Sequence, residues 1–116
     1  MHAQARAAAE AARCGEEQGK FWEIQELLYA SSDLSREGYL KMAETLGLDR
    51  ACFAQCLDGK RAAQRVDRDL AAAARLGLEA TPSYIVNGRL VSGTPAPEKF
   101  SRIIDEALAA AGPAER

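Results

Sequence analysis

The chain has 116 residues, 47% of them hydrophobic and 28% charged, with a net charge of −2. That is the size of one domain of ordinary globular composition. The 15 basic residues form no run, which argues against a nucleic-acid surface. No segment approaches the about 18 apolar residues needed to span a membrane.

Taken in chain order, residues 3–13 are alanine-rich and read as a helix, interrupted by the charges of Arg6, Glu10 and Arg13 and punctuated by Gly15 and Gly19. These charges rule out a signal-peptide core, so no export signal is visible. A second helix runs from Lys20 to about Ala30, with Phe21, Ile24, Leu27 and Leu28 on one face. Ser35 is placed as an N-cap, and Tyr39, Met42, Ala43 and Leu46 follow at helical spacing until Gly47. Asp49 caps a short helix, "RACFAQCLD", closed by Gly59. Residues 60–76 form the longest expected helix, with Ala62, Val66, Leu70 and Ala73 turned inward and Gly77 as its stop.

The periodicity then changes. Tyr84-Ile85-Val86 and Leu90-Val91 are β-type runs separated by Asn87-Gly88, a pair that tolerates the positive φ of a type I′ turn. Strands are expected at about 83–86 and 89–92. "GTPAP" leads into a last helix whose Phe100, Ile103, Ile104, Ala107 and Leu108 make an apolar stripe, and the tail 113–116 is expected to fray. A lone hairpin is marginal in water, and this one is apolar on both faces. The last helix covers one face and the 60–76 helix is a candidate for the other. The open edges call for partner strands in a larger sheet, or for a second copy of the chain.

Three cysteines, Cys14, Cys52 and Cys56, permit one disulfide plus a free thiol, or three thiols. Cys52 and Cys56 are four apart, so they are no C-x-x-C pair. An i,i+4 bridge within a regular helix is awkward because the Cβ vectors run side by side. Buried cysteines act as small hydrophobes, and that reading suits Cys52, a free thiol. With a single His2 at the terminus, neither a metal site nor a cofactor is expected. Phe21 and Trp22 read as core, and the Glu16-Glu17 and Glu23-Glu26 carboxylates as a solvated helix face. Taken alone, Thr81-Pro82 ends a helix and starts a strand, since proline fixes its own φ and pushes the preceding residue into extended conformation.

The order of these segments, above all "EQGKFWE" and "TPSYIVNGR", resembles the DsbA-like thiol–disulfide oxidoreductases of thioredoxin fold over nearly the whole chain. The resemblance implies an α/β thioredoxin-like architecture: a helical subdomain of about five helices over 1–76, then a hairpin and helix over 77–112. It implies that Thr81-Pro82 is the cis-proline loop that docks an extended protein or peptide substrate, and it favours a structural Cys14–Cys56 disulfide and an extracytoplasmic or periplasmic setting. The family's reactive C-x-x-C and central strands would precede residue 1. The sequence therefore reads as an incomplete domain that keeps the docking half of the site, inactive alone, with a homodimer through the hairpin as the non-enzymatic alternative.

Overall fold

The computed structural model describes residues 4–112; His2 and the 113–116 tail lie outside the described residues. The described chain forms six helices and one hairpin in the order α1 (Ala5–Glu17), α2 (Phe21–Ala30), α3 (Arg36–Thr45), α4 (Arg50–Asp58), α5 (Arg61–Arg75), β1 (Ser83–Val86), β2 (Arg89–Ser92) and α6 (Pro97–Ala111). Two compact units divide it, Met1–Ala71 and Ala72–Arg116, with the division inside α5.

In the first unit, α1 to α4 and the start of α5 pack around Ala11, Cys14, Ile24, Tyr39, Leu40, Met42, Ala43, Phe53, Cys56 and Ala62. The caps follow their residue types. The Ser35 side chain accepts from the Gly38 N–H, and Asp49 accepts from the Cys52 N–H, each satisfying a donor that the helix start leaves free. At the end of α3, Gly47 (φ 69°) gives its N–H to the Glu44 carbonyl while Leu48 bonds back to Ala43. This pair of hydrogen bonds closes the helix around a left-handed residue, where glycine costs least.

Three expectations need correction here. Gly15 does not end α1, which runs on to Glu17. Gly15 is instead the point where α2 crosses closely: a Cβ there would stand 2.6 Å from Ile24 Cγ2. Trp22 is not core; it is 71% exposed while Ile24 is fully buried. At about 100° per residue the two side chains point some 200° apart on α2, so burying one exposes the other. Leu70 is not turned inward either: Ala62 and Val66 are buried, but Leu70 is 53% exposed, on the wall of an open groove.

In the second unit, α5 ends at Gly77 (φ 75°), with Gly77 N–H bonded to Ala74 and Leu78 N–H to Ala73. β1 and β2 pair antiparallel, with Tyr84 opposite Val91 and Ile85 opposite Leu90. Asn87 (φ 50°) and Gly88 (φ 86°) supply the two positive φ values of the turn. One face of the hairpin meets α6: the Tyr84 and Phe100 rings lie edge to face, 5.1 Å apart, beside buried Val91 and Ile103. On the other face Ile85 and Leu90 are each 44% exposed. Farther along α6, Ile104 and Leu108 are exposed too, which narrows the expected stripe to Phe100, Ile103 and Ala107.

Candidate functional site

The sequence points to two places, a loop in the second unit and a set of cysteines in the first. The loop follows from the end of α5. Gly77 turns the chain out of the helix, and Glu79, Ala80, Thr81 and Pro82 then run exposed to the start of β1. The Thr81–Pro82 peptide bond is cis. The Ser83 hydroxyl donates to the Ala80 carbonyl across the bend. Pro82 accepts from the Gly93 N–H at 2.8 Å, which carries the hairpin ladder one bond past the Ser83–Ser92 pair. Thr81 itself is exposed, and among the described residues its backbone N–H and C=O have no partner. The sheet of the described residues is two-stranded, so the outer edge of β1, adjoining Thr81, also presents free backbone groups. Such an edge accepts an extended strand.

The cysteines are placed by α1 and α4. Cys14 and Cys56 form a disulfide with Cα atoms 5.7 Å apart. Both are buried, at 0% and 1% exposure, so the bridge offers no sulfur to an outside partner. Cys52 is a free thiol, and it is exposed; the expectation of a buried small hydrophobe is wrong. It lies in the first turn of α4, one turn before the point where Cys56 meets α1. The Asp49 carboxylate pushes the Cys52 thiol up, chiefly through its charge and then through a hydrogen bond from the thiol. In turn, the Cys52 N–H holds the Asp49 carboxyl below its ordinary range. A raised thiol is a poor nucleophile at neutral pH. The described residues therefore contain no activated cysteine and, as the sequence itself shows, no C-x-x-C.

Two features of the first unit had little trace in the sequence. Acidic and basic groups on α1 and α5 interlock: Arg6 with Asp67 at 2.7 Å, Arg13 with Asp69 at 2.6 Å and Arg61 with Glu17 at 2.6 Å. Expecting Glu16-Glu17 to be a merely solvated face missed this, because the partners lie more than 40 residues away. The second feature is a groove of about 760 Å³ floored by alanines of α1 and walled by Phe21, Leu28, Tyr29 and Leu70. Its signal was the apolar face of α2 being wider than one neighbour covers. Among the described residues no group of three His, Cys, Asp or Glu gathers to hold a metal ion.

A family model described as Thioredoxin matches residues 2–106. Among curated proteins, the chain is 39% identical over 112 residues to Na⁺/H⁺ antiporter NhaA 3 of Salinispora tropica, covering 96% of this chain and 17% of that protein. It is 36% identical over 110 residues to Na⁺/H⁺ antiporter NhaA 1 of Salinispora arenicola, covering 94% and 17%. It is 38% identical over 88 residues to Na⁺/H⁺ antiporter NhaA of Herminiimonas arsenicoxydans, covering 75% and 14%. The chain thus spans about a sixth of the length of these relatives. No solved structure matches it.

Proposed function

The chain belongs to the thioredoxin family, and from that premise we propose that it serves protein thiol–disulfide exchange of the DsbA type as the substrate-docking part of the site. The observation that carries this reading is Thr81: exposed, with both backbone groups unpaired, beside the free edge of β1. An extended peptide laid there gains main-chain hydrogen bonds without rearranging the hairpin. The reactive cysteine pair is assigned to sequence outside these 116 residues, since Cys14 and Cys56 are buried in a bridge and Cys52 is held as a thiol. Amide chemical shifts test the docking. Titrating an extended cysteine-containing peptide into the labelled chain should move Thr81, Ser83 and the outer edge of β1 first. Shifts confined to the first unit, or none up to millimolar peptide, contradict the proposal.

The relatives' printed names describe ion transport by proteins about six times longer. We read the shared segment as a thioredoxin-like domain within them and assign it no part of that transport; no helix among the described residues is long and apolar enough to cross a membrane.

A second reading rests on a different observation. Ile85 and Leu90 face each other across the hairpin and are each 44% exposed, and the hairpin edges are free. A second copy laid edge to edge would extend the sheet and join the two Ile85–Leu90 pairs into one apolar face, making a non-enzymatic dimerisation module. Light scattering decides it: a concentration-dependent dimer supports this reading, and a monomer at 100 micromolar removes it.

A further inference from the structure

Cys52 and Cys56 are one turn apart on α4, a spacing that puts their Cβ atoms about 5–6 Å from each other. One is an exposed thiol and the other is half of a buried disulfide. A free thiol so near a bridge can exchange into it. What separates them is the first turn of α4, and Asp49 holds that turn: its carboxylate accepts the Cys52 N–H at 3.0 Å as the N-cap. The charged groups that act on Cys52 are Asp49, Glu17 from the end of α1 and Arg61 from the start of α5. Glu17 and Arg61 are spent on each other in a two-pronged pair, at 2.6 and 3.0 Å. That leaves Asp49 as the uncompensated neighbour, and its charge is the largest of the influences that raise the thiol.

We propose that Asp49 gates an internal disulfide exchange: with its cap in place the bridge stays Cys14–Cys56, and without it a larger share of the chains pairs Cys52 with Cys56. In that step Cys52 gives its proton to solvent and the thiolate attacks Cys56 Sγ. The Cys52–Cys56 bond forms as the Cys14–Cys56 bond breaks, and Cys14 leaves as a thiolate that takes up a proton. One disulfide and one thiol exist before and after, so no oxidant or reductant is consumed. A bridge between Cys52 and Cys56 distorts the first turn and forfeits the cap. The cap therefore favours the native pairing, by the roughly fivefold factor that a capping bond of about 1 kcal/mol represents.

Peptide mapping reads the exchange directly. Held at pH 8, quenched in acid denaturant, labelled with maleimide and cut with trypsin, the native pairing carries label on "ACFAQCLDGK" and the exchanged pairing on "CGEEQGK". Asp49→Ala should raise the "CGEEQGK" label about fivefold over the parent, and Asp49→Ala with Cys52→Ser should abolish it. Asp49→Asn keeps a capping oxygen without the charge. It should alkylate faster at Cys52 at pH 7 while leaving the label distribution as in the parent. A folded Asp49→Ala protein labelled like the parent overturns the gate, and so does an Asp49→Asn protein labelled like Asp49→Ala.

Discussion

Gly15 shows how a single missing Cβ sets the contact between two helices. It is buried inside α1, and a methyl group there would stand 2.6 Å from Ile24 Cγ2 and 3.2 Å from Ile24 Cβ. Both residues sit in the packed core, so neither can retreat without moving a helix. We expect Gly15→Ala to destabilise by about 1–3 kcal/mol, the usual cost of overpacking, as a lower urea midpoint at unchanged slope. Gly15→Ala combined with Ile24→Ala should recover part of the overpacking penalty, which a thermodynamic cycle will show. Tyr39 offers the opposite case. Its ring is 4% exposed and its hydroxyl has no hydrogen-bond partner among the described residues, and burial pushes the phenol up. Tyr39→Phe removes an unpaired polar atom and keeps the ring, so stability should hold or rise by up to about 1 kcal/mol. A loss of more than that in the same urea titration contradicts this description of the site.

At the scale of elements, α1 and α4 depend on the disulfide as well as on packing. The bridge spans a sequence separation of 42 residues, and a loop of that size is worth about 4 kcal/mol in the chain-entropy model. Replacing Cys14 and Cys56 together by alanine should therefore cost about 2–4 kcal/mol in chemical unfolding and leave the hairpin's amide shifts in place; a change below 0.5 kcal/mol contradicts it. The elements also show what the sequence carried and what it did not. Ser35, Asp49, Gly47 and Gly77 announce helix ends because each acts within four or five residues of itself, and Asn87-Gly88 announces the hairpin for the same reason. Gly15 looks the same on paper, yet its role is a contact with Ile24, nine residues on and in another helix. Trp22 and Cys52 were misplaced for a related reason. Hydrophobicity says that a residue prefers burial, but which face of α2 or which turn of α4 is buried depends on neighbours that local pattern does not contain.

For the whole molecule, membership of the thioredoxin family leaves the division of labour in the site as the matter for experiment. The loop at Thr81-Pro82 was legible only by resemblance, since a Thr-Pro pair before a strand has an ordinary local explanation. The uncovered Ile85–Leu90 face has no signal of its own, because alternating apolar residues in a hairpin do not say what lies across from them. Reduction of insulin by dithiothreitol separates docking from chemistry. The 116-residue chain should leave the precipitation rate at background, and replacing Cys52 by serine should change nothing. Robust turnover at micromolar chain, lost on replacing any of its own three cysteines, would contradict it.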